Sequence, residues 1–168
     1  HDYFSAEAKQ KSEFESKFKA VRDEKIAYYT DLKAKATKTT SGLEYVITEK
    51  GTGKKPANGT QVFINYAGFL EDGTLFDTSI ESVAQAFGKF EAARAEAKQY
   101  NPIPFQTGAK EGMIPGFIEG IEKLSFGDKA VLFIPSHLAY GHTGAGGVIP
   151  PNANIIFEVQ LLETAPQQ

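Results

Sequence analysis

The chain has 168 residues, of which 41% are hydrophobic and 23% charged, and its formal net charge is −3. This composition is typical of one globular domain with an appendage, and the acidic balance disfavours nucleic acid as a partner because phosphate binding needs a basic surface. The sequence contains no cysteine, which excludes disulfides, thiolate catalysis and cysteine-bound zinc. No apolar run approaches the roughly 18 residues that span a bilayer. The chain begins at His1 rather than methionine, so we expect a processed or trimmed start.

A segment without proline or glycine, from about Ser5 to Ala36, is dense in Lys, Glu and Ala and predicts a long helix. Its larger apolar side chains recur at intervals of three, four and seven, as on one face of an amphipathic helix, although Lys25 interrupts that face. Two interpretations stay open: a helix that packs on its own domain or stands solvated as a stalk, and an arm that dimerises or holds a client. The face comprises Phe14, Phe18, Val21, Tyr28, Tyr29 and Leu32.

The small polar segment from Thr37 to Gly42 predicts a linker. It divides the chain into an N-terminal helical extension at 1–38 and a domain at 39–165, which a short tail at 166–168 follows. Beyond the linker, apolar residues alternate as in half-buried strands, so we expect an α+β fold with a mainly antiparallel sheet. At least four strands are predicted, at Leu43 to Ile47, Val62 to Tyr66, Lys129 to Ile134 and Asn154 to Leu162.

Two helices are predicted between these strands. Ser82 and Gln85 form a capping-box pattern, which predicts one inserted helix at about 82–100 that ends before Pro102. The apolar side chains from Val83 to Tyr100 would share one face of it. A shorter helix is expected from Pro115, a residue favoured at the first helical position, to Leu124.

A glycine-rich segment, Tyr140 to Gly147, leads through Val148 and Ile149 into Pro150-Pro151 and then a strand. Phosphate-binding glycine loops lead into a helix N-terminus, and prolines offer no N–H donors, so we interpret the segment as an apolar wall rather than a nucleotide loop. His142 has no metal-ligand spacing with the other histidines. We therefore expect no metal site. Nucleophilic catalysis has no candidate either.

Aromatic side chains remain as candidates for a site, although aromatics at strand and turn positions most often form a core. Asp77 directly follows Leu75 and Phe76 at the end of an apolar strand, where an unpaired carboxylate is costly. We therefore expect Asp77 to cap a turn or to accept a hydrogen bond from a donor such as the Tyr66 hydroxyl.

Seven segments, which occur in the same order as in the family, resemble the FKBP-type peptidyl-prolyl cis-trans isomerases over about residues 40–164. The chain is similar to bacterial members of that family with an N-terminal helical extension. The resemblance implies a strongly curved antiparallel sheet wrapped around a short helix. It also implies an enzyme that accelerates rotation about X-Pro bonds and so assists protein folding. The segments are Val62-Phe63-Ile64-Asn65-Tyr66-Ala67-Gly68, Leu70-Glu71-Asp72-Gly73, Phe76-Asp77-Thr78-Ser79, Pro104-Phe105, Met113-Ile114-Pro115-Gly116-Phe117, Ala139-Tyr140-Gly141 and Ile149-Pro150-Pro151.

The resemblance further implies an apolar aromatic pocket that works without a cofactor. Phe117 would form its floor, and Asp77 would orient it through Tyr66. The Tyr140 hydroxyl and the Ile114 N–H would hold substrate carbonyls. The implied catalytic residues are Tyr66, Phe76, Asp77, Ile114, Phe117, Tyr140 and Phe157. The implied substrate-binding residues are Phe105, Met113, Val148, Ile149 and Ile103.

The sequence departs from the family pattern in several places. Phe117 stands where tryptophan is frequent, and Ala145 stands where some members have histidine. No arginine closely follows Asp77, and the only arginine of the domain is Arg94, so we expect Asp77 to lack its usual partner. The segment Ile80 to Asn101 is much longer than the corresponding loop of minimal members, and it either packs on the sheet or shields the pocket edge and engages clients.

The resemblance implies proline-containing unfolded or partly folded proteins as partners, macrolide inhibitors of the family as ligands, and a homodimer through the N-terminal helix. It implies a periplasmic or envelope-anchored location, with a cytoplasmic one as the alternative. A second function stays open, a chaperone or peptide-binding module of the same fold with little catalysis.

Overall fold

The computed structural model describes the backbone of residues 2–164 and the side chains of residues 5–164. His1, the end of the predicted domain at 165 and the predicted tail at 166–168 lie outside the described residues. No helix of the described chain combines the length and apolarity needed to cross a membrane. The helices are α1 (Asp2–Lys33), α2 (Glu81–Ala86), α3 (Ala92–Glu96) and α4 (Pro115–Glu122), with a 3-10 turn at Ser136–Leu138. The strands are β1 (Thr37–Lys38), β2 (Glu44–Glu49), β3 (Gln61–Leu70), β4 (Leu75–Thr78), β5 (Ile103–Gln106), β6 (Lys129–Ile134) and β7 (Ile155–Leu161).

All seven strands belong to one antiparallel sheet, in the order β1-β2-β6-β7-β3-β4, with β5 also paired to β3. The ten-residue β3 has two partners on one edge: its first half pairs with β5 and its second half with β4. On the other edge, β7 pairs with β3 from Ile64 to Leu70. The split edge lets β4 and β5 diverge, and the predicted fold class, a curved antiparallel sheet with few helices, is confirmed.

The inner face of the sheet carries the main core. Ile64 and Leu132 are fully buried there, and they pack with Phe117 and Ile121 of α4. Burying one such side chain contributes about 1.5–3 kcal/mol, so this contact fixes α4 across the sheet. The helix predicted from Pro115 to Leu124 is therefore present, and it lies where the sheet curves around it.

The outer face of the sheet carries the second half of α1. Tyr29 is 4% exposed, and its ring lies 5.7 Å from that of Phe69 and 6.2 Å from that of Phe133. Lys25 does not interrupt this contact, because its Nζ atom lies 2.6 Å from a Glu158 carboxylate oxygen. The interpretation that α1 packs on its own domain is thus confirmed for this half, whereas Phe14 in the other half is 61% exposed.

The single inserted helix predicted at about 82–100 is wrong. Two short helices, α2 and α3, stand in its place, and Gly88 between them has a φ of +73°, which ends α-helical geometry. The capping box is absent as well, since Ile80 is the N-cap and its side chain makes no cap hydrogen bond. The apolar side chains of this segment therefore do not share one face: Phe87 packs on Phe69, while Phe90 stacks on Tyr100.

The predicted linker at Thr37 to Gly42 contains the short strand β1, which pairs with β2. A tight turn between β1 and β2 explains why this segment contains a strand as well as the predicted linker. The Thr39 N–H donates to the Leu43 carbonyl, and the Gly42 N–H donates to the Thr39 carbonyl. The chain therefore folds back on itself directly after α1 and enters the sheet.

Candidate active site

Four aromatic rings from three strands and one helix meet at one end of the inner core. Phe157 of β7 is the central ring, 5.5 Å from Phe76 and 5.2 Å from Phe117, both nearly perpendicular to it, and 6.1 Å from Tyr66. Such edge-to-face geometry fixes ring orientation in addition to burying area. The rings therefore form rigid walls rather than a loose apolar patch.

Gly68 allows two of these walls to approach the sheet. It lies opposite Asp77 on β4 and opposite Phe157 on β7. A Cβ atom at this position would meet the Phe76 ring at 2.5 Å and the Phe157 ring at 2.8 Å, which is closer than real Cβ contacts. Glycine in the middle of a strand here has a packing reason, namely the close approach of two rings.

A hydrogen-bonded chain of three side chains lies beside the rings. The Tyr66 hydroxyl donates to Asp77 at 2.6 Å, as predicted. The expectation that Asp77 lacks a partner is wrong, because Arg94 of α3 donates to its other carboxylate oxygen at 3.2 Å and to the Thr78 carbonyl at 2.8 Å. The Arg94 guanidinium also lies 4.3 Å from the centre of the Tyr100 ring, so the insertion itself supplies and holds this partner.

Two potential donors at the site have no acceptor within the part of the chain that the structure describes. These are the Tyr140 hydroxyl and the Ile114 N–H. Ile114 is the N-cap of α4, so its N–H points away from helical hydrogen bonds. Burial, together with the negative charge of Asp77, raises the pKa of Tyr140 above the ordinary tyrosine value. Burial and the hydrogen bond to Asp77 also raise the pKa of Tyr66 above the ordinary tyrosine value.

The rings and donors enclose a cavity of about 180 Å³, which we call the aromatic cavity. This volume is below the roughly 300–1,000 Å³ of pockets for drug-sized ligands, so it suits one small ring. Nine of the predicted residues and one further glycine line it. They are Tyr66, Phe76, Asp77, Ile103, Met113, Ile114, Phe117, Tyr140 and Phe157, together with Gly112.

Three predicted substrate-binding residues lie elsewhere. Phe105 is 5% exposed and lines a separate cavity beside Ile121. Ile149 is buried in the inner core next to the site. Val148 is 58% exposed and faces the insertion rather than the aromatic cavity. The glycine-rich loop thus directs its two aliphatic side chains to different places, because Ile149 turns inward at its bridge to Ala145.

Sequence reasoning did not assign Arg94, Gly68 or Gly112 to the site. The sequence did point to Arg94, because it is the only arginine in a domain whose Asp77 lacked an obvious partner. It also pointed to Gly68, because a glycine interrupts an otherwise continuous apolar strand there. Nothing in the sequence pointed to Gly112. Among residues 5–164, no three His, Asp or Glu side chains cluster in a way that would hold a metal ion.

The fold and the cavity together define a class of protein, a curved antiparallel sheet over one short helix with an aromatic pocket at its open end. Comparison with known proteins agrees. The family model for the FKBP-type peptidyl-prolyl cis-trans isomerase matches residues 52–162. The FKBP-type 22 kDa peptidyl-prolyl cis-trans isomerase of Escherichia coli is 36% identical over 149 residues, 88% of this chain and 63% of that protein.

Longer and shorter relatives match as well. The isomerase FkpA of Escherichia coli is 38% identical over 166 residues, 96% of this chain and 52% of that protein. Its crystal structure superposes with a TM-score of 0.60, covering 98% of this chain and 70% of that one at 32% identity. The crystal structure of AtFKBP13 gives a TM-score of 0.62 at 28% identity, covering 77% of this chain and 98% of that one.

The chain belongs to the FKBP-type peptidyl-prolyl cis-trans isomerase family. It spans 52–63% of the length of the two curated Escherichia coli relatives described above.

Proposed function

We propose that the protein is a peptidyl-prolyl cis-trans isomerase that acts on proline-containing protein clients and assists their folding. The observation that carries this proposal is the aromatic cavity, whose apolar walls Phe76, Phe117 and Phe157 lie beside a Tyr140 hydroxyl that has no acceptor among the described residues. The family's isomerase name supports the same conclusion.

Such a cavity accelerates rotation without breaking a bond. Amide resonance sets a rotational barrier of about 18–20 kcal/mol, and X-Pro bonds cross it in tens to hundreds of seconds. The twisted amide has less charge separation than the planar one, so an apolar wall costs the twisted form less solvation. Each roughly 1.4 kcal/mol of preference for the twisted form gives about a tenfold increase in rate.

The residues then take distinct roles. Phe117, at 3% exposure, forms the floor under the proline ring. The Tyr140 hydroxyl and the Ile114 N–H donate to client carbonyls on either side of the rotating bond. Asp77 and Arg94 act as positioning residues, because they hold the Tyr66 ring at the cavity edge.

The test is a peptide isomerisation assay with the purified chain, compared with Phe76→Ala. We expect wild type to catalyse cis-to-trans rotation of a Leu-Pro peptide and Phe76→Ala to lose most of kcat/KM, because one cavity wall is removed. The matched control is Phe14→Ala, which removes an exposed ring of α1 that does not line the aromatic cavity. No catalysis by wild type above background would overturn the proposal.

One observation bears both on a homodimer and on a second candidate function, a chaperone with little catalysis. The first half of α1 carries exposed apolar surface: Phe14 is 61% exposed, and among the described residues its ring packs edge-on against Phe18. This surface suits either an unfolded client or a second copy of α1, and we propose the homodimer as its occupant. Sedimentation equilibrium tests it: wild type should dimerise and Phe14→Glu should be monomeric. A monomeric wild type would leave the client-holding arm as the alternative.

Two further proposals concern ligands and location. Macrolide inhibitors of the family are proposed to compete with peptides for the aromatic cavity; its small volume admits only one ring of such a molecule. Competitive inhibition of peptide turnover would support this, and noncompetitive inhibition would contradict it.

We propose a periplasmic or envelope-anchored location by analogy with the family, and fractionation of the source cells distinguishes it from the cytoplasm.

A further inference from the structure

One face of α1 lies against both the sheet and the two segments that flank β4. Its residues Phe18, Arg22, Lys25 and Tyr29 follow one another at intervals of three or four, so they share one side of the helix. Lys25 and Tyr29 both donate to the Glu158 carboxylate on the outer face of the sheet. Phe18 and Arg22, nearer the start of α1, reach beyond this contact.

Two glycines allow α1 to approach the segments that flank β4. Gly73 lies in the turn before β4, where a Cβ atom would meet the Arg22 carbonyl oxygen at 2.7 Å. Gly88 lies between α2 and α3, where a Cβ atom would meet the Phe18 ring at 2.9 Å. Their φ angles are +83° and +73°, so glycine suits both the turns and the close approach. The helix therefore touches the chain on both sides of the strand that carries Asp77.

The insertion, Ile80 to Asn101, connects the Gly88 contact with the aromatic cavity. Just before Gly88, the Phe87 ring packs on Phe69 at the outer face of the sheet, with centroids 5.0 Å apart. Further along, α3 carries Arg94 to the site. None of the five residues of α3 is buried. Because α3 has no core of its own, its position depends on the contacts that anchor the insertion on either side of it.

The contact between Arg94 and Asp77 needs such an anchor. The two side chains are 24% and 45% exposed, and an ion pair this exposed contributes little free energy by itself. Asp77 accepts from Arg94 with one carboxylate oxygen and from the Tyr66 hydroxyl with the other. An insertion that moves away from α1 would take Arg94 with it, and the carboxylate that orients Tyr66 would be held by one hydrogen bond fewer.

We propose that Phe18 of α1 is a positioning residue of the isomerase site. By packing on Gly88 it holds the insertion in the path that brings Arg94 to Asp77, so that a helix on the outer face of the sheet tunes a cavity on the inner face. The proposal rests on the proposed isomerase function and adds to it a dependence of turnover on α1.

The test compares kcat/KM for a Leu-Pro peptide among variants of α1. Phe18→Ala removes the ring from Gly88 and should lower kcat/KM about three- to fivefold, the upper end of what an exposed ion pair contributes. Phe18→Leu keeps an apolar contact and should stay within about twofold of wild type. In an Arg94→Ala background, Phe18→Ala should have a further effect below about 1.5-fold, because the pair that it positions is already lost.

The matched control is Tyr29→Phe, which loosens α1 elsewhere on the same face. It removes the hydrogen bond to Glu158 and leaves the contact between Phe18 and Gly88 in place. We expect its kcat/KM to equal that of wild type, even where its urea midpoint falls as far as that of Phe18→Ala. A loss of stability alone therefore cannot produce the expected pattern.

Hydrogen exchange supplies a readout that does not depend on catalysis. The Lys89 N–H donates to the Ala84 carbonyl at 2.8 Å, and the Gln99 N–H donates to the Arg94 carbonyl at 2.9 Å. We expect Phe18→Ala to accelerate exchange of these two amides by a larger factor than that of the β7 amides, because it releases the insertion locally. Tyr29→Phe should not accelerate the two insertion amides more than those of β7.

The two possible failures are separable. An active wild type whose Phe18→Ala variant matches Tyr29→Phe in kcat/KM, or loses as much activity in the Arg94→Ala background, would overturn the role of Phe18 and leave the isomerase function intact. Wild type without catalysis would overturn the isomerase function. Hydrogen exchange would then decide the coupling, and equal acceleration of the insertion and β7 amides by Phe18→Ala would overturn it. Phe18 is only partly buried, so we expect its variants to fold.

Discussion

At the scale of single residues, the two tyrosines of the site differ in what their hydroxyls contact. Tyr66 is tied to Asp77, whereas the hydroxyl of Tyr140 has no acceptor among the described residues. These two tyrosines therefore respond differently to loss of the hydroxyl. Of these two hydroxyls, that of Tyr140 is the one we propose as a donor to a client carbonyl.

For Tyr140→Phe, we expect kcat/KM to fall about three- to tenfold, the equivalent of one neutral hydrogen bond. Its free energy of unfolding should stay within about 0.5 kcal/mol of wild type, because within residues 5–164 this hydroxyl makes no hydrogen bond that the substitution would remove. Peptide kinetics and urea unfolding measure the two quantities. Unchanged kinetics would remove Tyr140 from the mechanism.

For Gly68→Ala, the added Cβ atom must displace the Phe76 and Phe157 rings. Overpacking of this kind costs about 1–3 kcal/mol, and we expect kcat/KM to fall more than tenfold. In a Phe76→Ala background the same substitution should cost less stability, since one of the two clashes is gone. Equal costs in both backgrounds, from urea unfolding, would contradict this account of Gly68.

The pH dependence follows from the raised pKa of Tyr66 and of Tyr140. Both hydroxyls stay protonated, and so remain donors, up to and beyond the ordinary tyrosine pKa of about 10. We therefore expect kcat/KM to be flat from about pH 7 to 9.5. Stability contributed by a raised tyrosine pKa is present below about pH 10 and is lost as the pH rises through the folded-state value. A fall in activity centred near pH 8 would contradict this assignment.

At the scale of elements, periodicity predicted β3, β7 and α4, because the side that faces the core must stay apolar, whereas β6 is a continuous apolar run that is buried on both faces. The same reasoning failed for the insertion, since Gly88 divides the apolar pattern between α2, which covers the outer face, and a loop that stacks on Tyr100. Arg94 is 17 residues from Asp77 along the chain. Their pairing depends on the path of the insertion, which no local pattern encodes.

The packing of α1 gives a prediction at this scale. Tyr29 is 4% exposed between Phe69 and Phe133 and donates its hydroxyl to Glu158 at 2.7 Å. Tyr29→Ala should therefore cost about 3–5 kcal/mol in the free energy of unfolding, as buried aromatic truncations do. Ala27→Ser, at an exposed position on the same helix, is the control. A cost below about 1 kcal/mol, measured by denaturant unfolding, would show that α1 does not stabilise the domain.

At the scale of the whole molecule, α1 and the aromatic cavity lie on opposite faces of one sheet. Phe157 and Glu158 are neighbours on β7, one forming the cavity wall and the other holding Lys25 of α1. The insertion also meets α1, where a Cβ atom at Gly88 would touch the Phe18 ring. The resemblance to a family predicted the fold and most of the cavity-lining residues, while the path of the insertion and its contacts came only from the structure.

The central claim is that this cavity lowers the barrier to X-Pro rotation, and NMR exchange spectroscopy at equilibrium tests it most directly. A Leu-Pro peptide with a catalytic amount of protein should show exchange between its cis and trans signals, with both rates raised by the same factor and the isomer ratio unchanged. Phe76→Ala should abolish the exchange. Peptide signals that shift on binding but do not exchange would contradict the claim and identify the protein as a binding module.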